Sequence, residues 1–389
     1  MAFDLAHTPD RRMSDSMKWG KYAGQDILPL WVADMDFAAP PAVLDAVRER
    51  LAHGVLGYGV PQPSQIDAVL DYLQRRYDWR IAAEWLVWLP GLVTGIHVAC
   101  RSVCVGGGGG VLTNTPVYPP FLAAPRRSDQ ALRCVSLVCR AGHWEMDTDA
   151  LEAAMLQNPD TKLLLFCHPH NPVGRCWQRS ELEWIAEFAA RHDLIVCSDE
   201  IHCDLILDDD KRHLPFALLD EEAAKRSITL MSPSKTYNIP GLACAFAVIP
   251  DASLRQRFVR AMSGIVPHVN VFGLVACEAA FRDGEDWRQA LLAILRQNRD
   301  NLEATVARLP GVSMTHIEAT YLAWLDARQL NLADPVAYFE SQGLGLSNGA
   351  DFGAAGWVRL NFGCAPALLD HALARLQQAI KNVALTPRA

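Results

Sequence analysis

Through the middle of the chain, short apolar runs alternate with amphipathic stretches. The runs predict strands at Leu86 to Trp88, Val111 to Thr113, Leu132 to Leu137, Lys162 to Cys167, Leu194 to Cys197, Ile228 to Met231 and Ala243 to Ile249. Most lack polar alternation, as strands covered on both faces do. Between them, Arg179 to His192 sets Leu182, Ile185, Ala186 and Ala189 on one helical face, and Thr94 to Val105 is similarly helix-like. The alternation predicts an α/β fold around a mostly parallel seven-stranded sheet. Beyond about residue 285 the texture changes to a long charged helix near Trp287 to Arg308, a strand near Tyr321 to Asp326 and a closing helix near Leu368 to Val383. That predicts a smaller α+β domain. The first forty residues carry no strong period and are expected to lie against it. The division expected is a large domain over 49–284 and a small one assembled from 1–48 and 285–389.

Five consecutive glycines, Gly106 to Gly110, invite a phosphate-loop reading. Neither G-x-G-x-x-G opening a helix nor a following Lys-Ser/Thr is present, and the run leads into a strand, so it reads as a helix-to-strand turn. At 389 residues the chain can bury large cores without disulfides. Its net charge of −8 argues against a nucleic-acid partner bound through phosphate neutralisation. The eleven cysteines are odd in number, scattered and free of C-x-x-C pairs, which fits a reducing compartment. The start resembles no signal peptide, and the longest apolar run, Leu242 to Ile249, falls far below the roughly 18 residues of a membrane span. The expectation is a cytoplasmic protein without a membrane partner.

In open parallel sheets, ligands sit beyond the carboxyl ends of the strands. Three apolar runs end in chemistry: one leads to Asn171, one to Asp199 and His202, one to Ser232 and Lys235. A lysine in a Ser-Pro-Ser-Lys turn at a strand end, held near cationic or apolar surroundings, has a lowered pKa and can form a Schiff base with an aldehyde. Pyridoxal phosphate needs such an amine. It also needs a carboxylate against its pyridine nitrogen, for which Asp199 is the candidate, and a donor near its phenolic oxygen, for which Asn171 is placed. His168 and His170 beside Cys167, with His202 and Cys203, admit a metal reading. The cofactor reading already accounts for His170 and His202, so no metal is expected.

The segments HPHNPVGR, SDEIHCDL and SPSKTYNIPGL resemble the fold-type I pyridoxal-phosphate enzymes of the class I/II aminotransferase superfamily. More narrowly, LPLWVADMDF, GVLGYGVP, NTPVYPPF, EATYLAWLD and WVRLNFGC resemble the cystathionine β-lyase-like C–S lyases often called the MalY/PatB group, from about Met17 to Leu376. The resemblance implies that Lys235 bonds the cofactor and moves the substrate's α proton, while Asp199 meets the ring nitrogen and Asn171 the phenolic oxygen. It implies that Tyr118 stacks on the ring and that His202 belongs to the cofactor site. Ser232 and the backbone N–H groups around Leu92 and Val93 would hold the phosphate at a helix start. Tyr58 would reach the phosphate from a second subunit, implying a homodimer, and Arg359 would clamp the substrate carboxylate. Many aminotransferases carry an arginine eight residues after the lysine, but here Ala243 stands there, so the phosphate must find other donors. The expected reaction is α,β-elimination from cystathionine or related cysteine conjugates. Transamination of a small amino acid is the alternative, because it shares every step up to the carbanion.

Overall fold

The computed structural model describes residues 3, 5, 8–104 and 108–385. Seven strands form its central sheet: β1 (Leu86–Leu89), β2 (Gly110–Thr115), β3 (Ala131–Ser136), β4 (Thr161–Cys167), β5 (Ile195–Asp199), β6 (Ser227–Met231) and β7 (Ala245–Val248). Their order is β1-β7-β6-β5-β4-β2-β3, with β7 antiparallel to both neighbours and every other pairing parallel. This is the seven-stranded, mostly parallel sheet that the apolar runs predict.

Alternation along β4 explains why those runs have no polar face. Leu163, Leu165 and Cys167 pack with Leu92, Ile96 and Ala99 of the helix Leu92–Val103, whereas Leu164 and Phe166 pack with Leu182, Ile185 and Phe188 of the helix Arg179–Arg191. Each strand face is therefore roofed by a helix. The first helix lies so close that a Cβ on Gly95 would meet Leu230 at 2.9 Å and Leu89 at 3.1 Å.

Past the sheet come the helix Glu285–Val306, a four-stranded antiparallel sheet and the closing helix Pro366–Leu385. The strand expected near Tyr321 to Asp326 is Leu322–Asp326, paired with Trp357–Asn361. At the other chain end, Leu28–Pro29 pairs in parallel with Leu344–Gly345. The N-terminal segment thereby crosses to the late part of the chain.

Two element starts differ from those expected. The strand expected from Ala243 begins at Ala245, because Ala243 takes φ +48° and ends a 3-10 turn over Pro240–Leu242. The helix expected from Thr94 starts at Leu92. Of the glycine run, 106 and 107 lie outside the described residues, and the run falls between a helix ending at Val103 and β2, which begins at Gly110. Among the described residues, no helix is long and apolar enough to cross a membrane.

Candidate active site

Because β4, β5 and β6 are consecutive in the sheet, their carboxyl ends open on one pocket of about 210 Å³. Asn171, Asp199, His202, Ser232 and Lys235 line it, with Tyr118 from the segment after β2 and Leu92 and Val93 from the helix start after β1. Arg359, on Trp357–Asn361, joins the group through Asn171, whose Oδ1 accepts from its Nη1 at 3.1 Å.

Charge in this pocket is buried without being neutralised. Asp199 accepts one backbone N–H, from Ile201 at 3.2 Å, and makes no ion pair among the described residues. Burial, with Glu200 next to it, pushes its carboxyl up to about 7, while the Ile201 N–H and Lys235 pull the other way. Lys235 donates to the carbonyl of Ala33 at 2.5 Å. Burial pushes its amine down to about 8 and Arg359 adds to the effect, against the opposing charges of Asp34 and Asp199. Arg359 donates to the Trp31 carbonyl at 2.8 Å and lies over the Phe352 ring, yet its Nε has no hydrogen-bond partner and it makes no ion pair among the described residues. Burial lowers it to about 10. A buried guanidinium lacking a counter-ion is a receptor for a carboxylate.

His202 is pushed down to about 3, by burial first and then by Lys235 and Arg359, so it is neutral. It stands edge-on to Tyr321, whose hydroxyl donates to the same Ala33 carbonyl at 2.9 Å. Burial raises the Tyr118 phenol, Asp199 adds to this, and Arg359 opposes it.

At the other end of the pocket, the helix Leu92–Val103 begins at Gly91 with no side chain capping its first N–H groups. Thr94 and Ser234 line the pocket beside it. Ser232 is committed to the turn: its Oγ donates to the Cys244 carbonyl at 2.7 Å and accepts from the Ser234 N–H at 3.0 Å. Ala243 also lines this end and offers no charge.

Tyr58 is not brought to this pocket within the chain. It is fully exposed on the stretch between Pro41–Ala52 and Pro63–Tyr77, where it lines a separate groove of about 690 Å³ with Arg50, Val271 and Arg282. The histidines of the metal reading are engaged separately. His168 meets the Leu214 carbonyl and stacks on His213 at 4.3 Å, while His170 meets the Pro116 carbonyl. Sequence reasoning missed Thr94, Ser234, Tyr321 and the Ala33 carbonyl. Ser234 adjoins the lysine and Tyr321 lies in EATYLAWLD, so both had a signal; a backbone carbonyl has none.

The family described as aminotransferase class I and II matches residues 25–376. Cystathionine beta-lyase PatB of Bacillus subtilis (strain 168) is 36% identical over 382 residues, covering 95% of this chain and 98% of its own. Among solved structures, that of OvoB is 48% identical with a TM-score of 0.95, covering 97% of this chain and 99% of that one. The PLP-bound C–S lyase from Staphylococcus hominis is 29% identical with a TM-score of 0.91, covering 98% of both chains.

Proposed function

The chain belongs to the class I and II aminotransferase family, and on that premise we propose that it is a pyridoxal-phosphate-dependent carbon–sulfur β-lyase. Its substrates are cystathionine or related cysteine S-conjugates, from which elimination releases a thiol and aminoacrylate, and water then converts the aminoacrylate to pyruvate and ammonia. The cofactor reading is carried by Lys235, Asp199 and Arg359 around one pocket, none of them in an ion pair among the described residues, and elimination is favoured over transamination by the likeness to cystathionine beta-lyase PatB.

Each unmet group fits a part of the cofactor or substrate. Asp199, in no ion pair among the described residues, suits a protonated ring nitrogen; Lys235 would hold the aldehyde carbon and Asn171 the phenolic oxygen. Tyr118 and His202 border the ring's place. The uncapped helix start at Leu92 and Val93, with Thr94 and Ser234, suits a phosphate and supplies donors where Ala243 offers none, while Ser232 lines the same end with its hydroxyl proton already given to Cys244. The bound cofactor supplies an electron sink for negative charge at the substrate's α carbon.

The chain's own residues do the rest. Arg359 fixes the substrate carboxylate by two parallel N–H donors and thereby orients the α C–H. Lys235, near 8 as a free amine, takes the α proton and returns a proton to the departing sulfur. Neutral His202 adds no further positive charge beside that amine.

The same reading includes a homodimer in which Tyr58 reaches the partner's pocket. Its support is the full exposure of Tyr58 among Val55, Leu56 and Val60, all more than half exposed. The domain division at 49 and 285 is supported by the pairing of Leu28–Pro29 with Leu344–Gly345. A cytoplasmic location is supported by the cysteines, every one of which is free and nine of which are buried.

The test is incubation of the cofactor-loaded protein with L-cystathionine. Pyruvate and free thiol in equal amounts are expected. Glutamate formed from 2-oxoglutarate and an amino acid without a β leaving group, with no pyruvate from cystathionine, would establish a transaminase instead.

A further inference from the structure

Residues 31–36 form a strap without helix or strand that meets the pocket at Ala33, and five consecutive carbonyls on it accept from side chains, Lys235 and Arg359 among them. Trp31 takes Arg359 at 2.8 Å and Ser347 at 2.7 Å, and Val32 takes Asn361 at 2.6 Å. Ala33 takes Lys235 at 2.5 Å and Tyr321 at 2.9 Å. Asp34 takes Asn361 at 2.6 Å and Lys18 at 3.2 Å, and Met35 takes Arg11 at 3.0 Å and Asn238 at 2.9 Å. The strap thus touches both the amine and the guanidinium of the proposed machinery.

One carboxylate on it is only half used. Asp34 Oδ2 accepts from Arg11 at 2.6 Å, whereas Oδ1 is buried and has no hydrogen-bond partner among the described residues, with Lys18 Nζ 4.0 Å away. Arg11 and Lys18 also grip Asp36, both at 2.8 Å, which fixes the strap from behind. We propose that Asp34 is a positioning residue for the free amine of Lys235: the strap docks the amine on the Ala33 carbonyl, and the adjacent carboxylate supplies its counter-charge. This rests on Lys235 being the reacting amine.

The groups around that amine come from four elements: Asp34 on the strap, Asp199 and His202 at and after the end of β5, Arg359 on Trp357–Asn361, and Tyr321 just before Leu322. Facing Asp34 are Arg11, Lys18 and Tyr321, with Asp36 beside the two cations. Burial and Arg359 drive the proton off Lys235, while Asp34 and Asp199 retain it. Asp199 is given to the cofactor in the proposed function, which leaves Asp34 as the charge that stays with the amine.

The test uses the full-length protein freed of cofactor, with Lys235 labelled by reductive methylation across pH and read by peptide mass spectrometry. Asp34→Asn is expected to move the labelling midpoint down by about one pH unit, a roughly tenfold faster reaction at a fixed pH below it. Arg11→Gln frees the same carboxylate of its guanidinium and is expected to move the midpoint up. A merely structural role would shift both variants the same way or neither; either result overturns the proposal. If Asp34→Asn does not fold, Arg11→Gln decides alone, a rise supporting the assignment and a fall or no change ending it. Since no turnover is involved, failure of the lyase reading would show in the pyruvate assay and leave these midpoints where they are.

Discussion

Asp204 lies a few residues beyond Asp199 and is buried as deeply, yet the two carboxylates live on different terms. Asp204 accepts from the Tyr72 hydroxyl at 2.7 Å, the Tyr77 hydroxyl at 2.9 Å and Arg76 at 3.0 Å. Its backbone carbonyl takes Arg288, which is paired in turn with Glu285. Asp199 has one backbone N–H, and the lysine and arginine near it are held by carbonyls and an amide rather than by carboxylates. A cluster that completes its own bonds fixes the fold; one that leaves them open is prepared for a ligand. Net stabilisation belongs to the first. The second costs stability until something binds.

The strongest way to break this contrast is Lys235→Ala. It is expected to lower β-elimination by at least about 10⁴-fold, since it removes both the covalent anchor and the general base. The cofactor-free variant should melt no lower than the native protein, because the cost of burying the Lys235 amine is gone. Full activity in a pyruvate assay would mean that another lysine does the chemistry. The opposite pattern is expected of Asp204→Asn, which strands Arg76 and two tyrosines at a cost of about 3–5 kcal/mol. Urea unfolding followed by tryptophan fluorescence measures it, and the rate per folded molecule should stay near the native value.

A smaller, pH-dependent effect sharpens the comparison. The raised Asp199 carboxyl means that between its ordinary 3.8 and about 7 the folded chain holds a proton that the unfolded chain has lost. Its contribution therefore favours folding at low pH relative to high, and the stability of the cofactor-free protein falls across that window on its account. Lys235 behaves in mirror image: between about 8 and its ordinary 10.5 the unfolded chain holds the extra proton, so stability rises with pH there. The pocket weighs most heavily on the empty fold near pH 7 to 8. Asp199→Asn is accordingly expected to match the native protein in thermal melts near pH 4 and to exceed it increasingly towards pH 7. A difference that stays constant with pH would mean that Asp199 is satisfied in the fold.

The open cluster was the more legible of the two. Bare apolar runs followed at once by Asn171, Asp199 and Lys235 announce buried strands with chemistry at their ends, because burial on both faces leaves no other place for it. The closed cluster is spread over Tyr72, Tyr77, Asp204 and Arg288, and no local spacing connects them. Weak periodicity concealed other parts. The helix Pro41–Ala52 buries only Val43, and Pro63–Tyr77 includes Gln65 on its buried side. The strap lies within LPLWVADMDF, but its work is done by carbonyls, which every residue type carries alike. Ser232 is in place, but its hydroxyl is spent on the Cys244 carbonyl, a pairing that depends on how the turn after Pro240–Leu242 returns to the sheet.

The central claim is that the open cluster holds the cofactor through the one lysine it contains. Loading the protein with pyridoxal phosphate, reducing with borohydride and mapping the peptides tests it directly. The account predicts the reduced cofactor on the peptide carrying Lys235 and on no other. Stoichiometric labelling of Lys18, Lys162 or any other lysine, with Lys235 unmodified, would contradict it.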